Sequence, residues 1–123
     1  MKIFKFIVFI LFGLMFINSG LNKLFHYLPT PELSEELTRV NQAFDTIAWL
    51  LPLVGIVEVI GGILSIIPRT RPLGLIMLFP IMIGVMCQHI FYAPEGLLFA
   101  GAFLVVNLWG IFEHRNKYLS LIN

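Results

Sequence analysis

Charge is scarce in this chain. Only 12% of its 123 residues are Asp, Glu, Lys or Arg, while 59% are hydrophobic. An ordinary soluble domain carries roughly 25% charged residues. Mean hydropathy is +0.92, and a chain this short cannot hide so much apolar surface in one soluble core. The surplus must face lipid, which excludes a soluble globular domain and makes this an integral membrane protein. Cysteine is nearly missing too. Cys87 stands alone, so an internal disulfide, a CxxC redox pair and a cysteine zinc site are excluded. The formal charge of +1, with no basic stripe, offers nothing to nucleic acid. His26, His89 and His114 show neither HxxH nor HxxxH spacing and do not share a side, so no metal ligands are assigned.

What the sequence does have is four apolar runs of spanning length, at about 3–25, 47–67, 73–91 and 96–112. They predict an all-α fold: one membrane domain over residues 1–123, built as an integral membrane four-helix bundle. The N-terminal run could pass for a signal peptide, but Asn18 fits poorly at a cleavage position and the apolar stretch continues to Phe25, so it is expected to remain as the first helix. Pro52 and Pro80 fall inside the second and third runs, where they should kink the helices. Short connections, "PRTRP" and "YAPEG", make the last three helices antiparallel neighbours.

The first connection is longer. Leu33, Leu37, Val40, Phe44 and Ile47 recur at helical spacing, with Thr30 as N-cap, Pro31 at the first helical position and Glu32 in the first turn. A short amphipathic helix at about 31–45 is expected between helices one and two, lying on the membrane surface or over the mouth of the bundle. Lys2, Lys5, Arg69, Arg71, Arg115 and Lys117 gather on one side; Arg39 is the lone basic residue among acids on the other. The positive-inside rule then places both termini in the cytoplasm of a multi-pass protein.

Polar residues within the apolar runs are the candidate functional residues, because an ionisable group near the bilayer centre costs roughly 2.5–3.5 kcal/mol on insertion scales. In helix one, Asn18, Ser19, Asn22 and Lys23 span an arc of about 140° at 3.6 residues per turn. A continuous polar face belongs inside the bundle, although Lys23 is close enough to the helix end to snorkel to water. Glu58 lies mid-helix, too deep for that escape. It is either neutral and serving as interhelical hydrogen-bond glue, or a carboxyl that exchanges protons or orients a ligand. Gly55, Gly61 and Gly62 beside it permit close helix approach. Gln88 and His89 close helix three, where His89 is either an interfacial hydrogen-bonding group or a titrating one. Gly96, Ala100, Phe103, Asn107 and Gly110 form a packing seam on helix four. Taken by depth, Asn18, Asn22, Lys23, Glu58, Gln88 and His89 would line a polar pocket open toward the outer leaflet. Lys23 and Glu58 would meet directly, or through a water or ligand. A lipophilic molecule with polar oxygens, such as a quinone or a lipid, suits such a pocket.

Two motifs carry a family resemblance. "LFGLMFINSGLNKLFHY", with Gly20 and Lys23, resembles the first-helix signature of DoxX-like membrane proteins. "VGIVEVIGGILSIIP" is similar to that family's second-helix Glu-x-x-Gly-Gly pattern, here Glu58, Gly61 and Gly62. The resemblance implies a four-helix bundle in the bacterial cytoplasmic membrane, and an accessory subunit of a quinone-linked redox system. No flavin, haem or thiol site is present in the sequence, so no catalytic residue is named. A second expectation is a structural or assembly subunit of a larger membrane complex, with a protein partner and no small-molecule chemistry. A third is a small transporter coupled through Glu58, against which the lack of a visible repeat weighs.

Overall fold

The computed structural model describes residues 2–27 and 34–122. The elements are α1 (Lys2–Phe25), α2 (Glu35–Thr46), α3 (Leu50–Ile66), α4 (Arg71–Tyr92), a 3₁₀ turn (Pro94–Gly96), α5 (Leu97–Glu113) and α6 (Arg115–Leu119). Among the described residues there is no strand. α1 and α4, at 24 and 22 residues, reach about 36 and 33 Å at 1.5 Å per residue, enough to cross a hydrocarbon core of ~30 Å. The 3₁₀ turn and α5 together are also long and apolar enough to cross. α3 has 17 residues and meets α2 at a bend of 89°. The two therefore form an elbow, with α2 lying across the axis of α3. The protein is an all-α, multi-pass membrane bundle with an amphipathic helix between its first two spanning elements.

Local chemistry explains these boundaries. Ser34 caps α2, accepting a hydrogen bond from the Leu37 amide at 3.2 Å, while Glu35 and Glu36 in the first turn suit the positive end of the helix dipole. The expected cap and first turn at Thr30, Pro31 and Glu32 lie outside the described residues. On α2, Leu37, Val40 and Phe44 are half-buried while most of their neighbours are exposed, which is the apolar stripe expected from their spacing. Pro52 does not kink a helix, contrary to expectation. α3 begins only at Leu50, so Pro52 occupies its first turn, where a missing N–H leaves no intrahelical bond unmade. α4 runs unbroken through Pro80.

Packing follows the chain: α1 lies on α3, α3 on α4, and α4 on α5. Glycine makes the first of these contacts close. A Cβ on Gly62 would stand 2.7 Å from the Gly13 carbonyl oxygen, and one on Gly55 would stand 2.9 Å from that of Gly20. The α1 and α3 backbones touch at both points, as small residues allow in membranes. Gly61 faces the other way, toward Leu78 of α4. α5 meets α1 more sparingly, through rings: Phe9 stacks on Trp109 at 5.5 Å, and Phe12 and Phe16 approach Phe103 at 6.1 and 6.4 Å. Phe9, Phe12 and Phe16, with Leu75, Leu78 and Met82 of α4, form the buried core.

Candidate functional site

The core fills the end of the bundle that holds Lys5, Arg71 and Arg115, called the basic end below. Toward the opposite, elbow end, past Phe16 and Met82, packing opens into a cleft of about 120 Å³. All four long helices contribute walls. α1 supplies Met15, Phe16, Ser19 and Lys23, and α3 supplies Glu58. Met82 and Val85 come from α4, and Ala100 and Phe103 from α5.

Polar chemistry enters from α1 and α3 alone. Lys23 Nζ lies 2.7 Å from Glu58 Oε1 and donates to Ser19 Oγ at 2.9 Å. Ser19 and Lys23 are four residues apart, so one helix face presents both. Glu58 is centred on α3 and its side chain is 3% exposed, hence its charge is met by Lys23 rather than by water. The close Gly20–Gly55 contact is what brings Lys23 down to it: the Lys23 Cβ would lie 3.1 Å from a Cβ on Gly55. The two groups pair directly, which settles the alternative left open by their separation along the helices. The pair is not saturated. An ammonium has three N–H donors, of which Glu58 Oε1 and Ser19 Oγ engage two. The cleft thus offers a cation, a carboxyl and a hydroxyl on one side, with aromatic and aliphatic groups on the others.

The remaining candidates are placed elsewhere. Asn18 is exposed, and the Tyr27 hydroxyl donates to both its side-chain oxygen and its carbonyl oxygen. The expected single inward arc is therefore split: Ser19 and Lys23 reach the cleft, and Asn18 turns away. Asn22 is half-buried, is engaged in an interaction of its own and does not line the cleft. Gln88 and His89 are half-buried and also outside its walls. His89 Nδ1 lies 3.1 Å from the Ala93 carbonyl oxygen, and its ring packs on Gly96, where a Cβ would come within 2.5 Å of Cε1. It ties the end of α4 to the 3₁₀ turn.

The α5 seam faces inward. Ala100 walls the cleft, Gly110 abuts Leu75 and Phe9, and Asn107 Nδ2 donates to the Leu75 carbonyl at 3.1 Å. That acceptor is adjacent to Ile76, whose carbonyl loses its usual partner to Pro80.

Arg71 was expected to be a loop charge on the membrane surface and is instead 5% exposed. Its Nε donates to the Ser65 carbonyl at 2.8 Å and its Nη2 to that of Ile66 at 3.1 Å, while its guanidinium lies 4.4 Å over the Phe9 ring. It closes the C-terminal end of α3, where carbonyls lack helical donors. The one sequence signal was its place: an arginine five residues after the last turn of an apolar helix.

A family model described as methylamine utilisation protein MauE matches residues 1–95. The matched region takes in α1 to α4, and with them Lys23 and Glu58. The chain matches no curated protein and no solved structure. The DoxX-like resemblance rests on its two short motifs, and the family model that covers most of the chain is a different one. The chain belongs to the MauE family of small membrane proteins.

Proposed function

We propose that this protein is a membrane accessory subunit that holds the polar head of a lipophilic ligand against the Lys23–Glu58 pair. The observation that carries the proposal is the juxtaposition of that unsaturated pair with an otherwise apolar cleft. Size narrows the ligand class. An apolar cavity of about 150 Å³ takes up benzene, so about 120 Å³ is of the order of a single-ring head. A ring with carbonyl or hydroxyl oxygens, as in a quinone, would accept from Lys23 and exchange a hydrogen bond with Glu58, leaving its tail to lipid. The loosely closed α1–α5 side, where Met15 is 50% exposed, gives such a tail a way out. On this proposal the protein serves a quinone-linked redox system in a bacterial cytoplasmic membrane, both termini cytoplasmic. The positive-inside bias supports that orientation even with Arg71 buried.

The family description favours a second role, as an assembly component in methylamine utilisation that works through a protein partner. Mass spectrometry of lipids and proteins co-purifying in mild detergent separates the two. The first predicts a small ring compound that is lost from the double variant Lys23→Met/Glu58→Gln, which leaves no unpaired charge. A stoichiometric protein partner, with no small molecule in any sample, would overturn it in favour of the second.

A further inference from the structure

We propose that a second cavity, under the α2–α3 elbow, is the aqueous entrance to the Glu58 carboxyl, with Lys23 as the movable partition that carries protons across. This builds on the Lys23–Glu58 pair as a working site and is independent of what ligand the cleft holds. The second cavity measures about 130 Å³ and is walled by the end of α1, the end of α2 and the start of α3. Its walls differ in kind from those of the cleft. Lys23, His26 and Asp45 supply a cation, an imidazole and a carboxylate, beneath the ring of Phe44 and beside Leu51. A cavity of that volume holds several waters, and those three groups offer the two to four polar partners each water needs. Lys23 lines both this cavity and the cleft.

Three further features fit a moving proton carrier. The Lys23 side chain is 28% exposed, whereas its partner Glu58 is 3% exposed, so the ammonium straddles wet and dry sides. The ammonium that meets Oε1 and Ser19 Oγ is carried on a flexible four-carbon stem rather than a rigid fork, so it can exchange partners. His26 is kept at the mouth by the left-handed end of α1, with φ of 53° and its amide donating to the Asn22 carbonyl at 2.7 Å. Among the described residues, the charged and titratable groups lining the two cavities besides the pair itself are His26, just past α1, and Asp45 of α2. The α4 and α5 walls bring only Met82, Val85, Ala100 and Phe103. In the transfer, an Nζ–H bond breaks as the Oε1–H bond forms, giving a neutral amine and a neutral carboxyl. The amine is then reprotonated through the His26 imidazole, which passes on a proton taken from a hydronium ion at the mouth and leaves water there.

The test is thiol labelling by a membrane-impermeant reagent, in full-length protein carrying Cys87→Ser and applied from each side of the membrane. Alkylation needs a thiolate, which forms in water and not in lipid. Leu51→Cys, inside the second cavity, is expected to react about ten-fold faster than Leu53→Cys, two residues on and lipid-facing at 50% exposure. Val85→Cys in the cleft should react slowly in the native background and accelerate when Lys23→Ala is added together with Glu58→Gln. Equal rates at Leu51→Cys and Leu53→Cys would overturn the entrance, and that comparison needs no change at Lys23. A Val85→Cys rate unmoved by loss of Lys23, in protein with native helix content, would overturn the partition. Labelling requires no ligand, so fast Leu51→Cys alkylation with nothing co-purifying would sink the ligand proposal while keeping this one.

Discussion

At the basic end, Arg71 donates to the Ser65 and Ile66 carbonyls and lays its face on Phe9. At the elbow end, Lys23 meets one oxygen of Glu58 and the Ser19 hydroxyl beside open space. Both cations are drawn toward the interior, but one is held by backbone carbonyls and covered by a ring, and the other faces a carboxyl beside open space. The guanidinium's planar fork matches a pair of carbonyls that α3 cannot satisfy itself. The ammonium is a point charge on a flexible stem, suited to a partner that changes. The Phe9–Trp109 stack and the Lys5–Glu113 ion pair reinforce the first end. At the second end the Phe16–Phe103 pair walls the cleft without covering the ammonium. The contrast separates a structural charge from a working one by the kind of partner it holds rather than by burial.

The comparison breaks if Arg71 proves dispensable. Arg71→Leu removes two hydrogen bonds from a charged donor, each worth roughly 1.5–3 kcal/mol, and strands two carbonyls. Thermal unfolding in mild detergent is expected to show a loss of roughly 3–5 kcal/mol, the largest effect anticipated for a single change. Arg71→Lys should recover only part of it, since an ammonium lacks the fork. The helix contact that aligns the two ends ranks next. Gly62→Val places side-chain atoms where a Cβ alone already lies 2.7 Å from the Gly13 carbonyl oxygen. The α1–α3 pair must spread, at a cost of roughly 1–3 kcal/mol. Because spreading the pair also loosens the Gly20–Gly55 contact that brings Lys23 to Glu58, crosslinking of Lys23→Cys with Glu58→Cys should fall in the same variant.

These two ends were not equally legible in the sequence. Lys23 and Glu58 stood out because a charge in an apolar run demands a partner, and the structure places them together. The bundle itself followed from run lengths and the elbow helix from the Leu37–Val40–Phe44 spacing. Asn18 was misplaced because four polar positions over about 140° cannot all face one narrow cleft. Its actual partner, Tyr27, belongs to a fold-back that local spacing does not reveal. His89 serves the Ala93 carbonyl, a need that arises only once α4 ends there. Phe9, Phe12 and Phe16 have helical core spacing, but α1 is apolar on nearly every side, and a period cannot be read against a uniform background.

A smaller effect at the basic end sharpens its description as a closed structure. The Tyr118 hydroxyl donates to the Pro72 carbonyl at 2.6 Å, pinning α6 to the start of α4. Burial pushes the Tyr118 phenol above its ordinary value. The unfolded chain releases this proton near pH 10 while the folded chain retains it. Its contribution is therefore complete below about pH 10 and is lost as pH rises through the folded value. Tyr118→Phe should cost about 1 kcal/mol at neutral pH and flatten the alkaline decline in stability. An unchanged slope above pH 10 would mean that α6 is not held by this bond.

The smallest change in stability is expected where function is proposed. Replacing a buried ion pair by apolar or neutral groups of similar volume is often close to neutral, because the attraction lost is matched by desolvation no longer incurred. Lys23→Met/Glu58→Gln preserves the volume of both side chains and leaves the α1–α3 glycine contact untouched. Its unfolding in mild detergent should lie within about 1 kcal/mol of the native chain, several-fold less than the loss at Arg71. A loss as large as that of Arg71→Leu would show that the elbow-end pair is also a structural clamp, and the distinction drawn from the partners of the two cations would fail. Stability close to native would mean that the bundle does not require these two charges, so their presence in the membrane must be explained by what they bind or transfer.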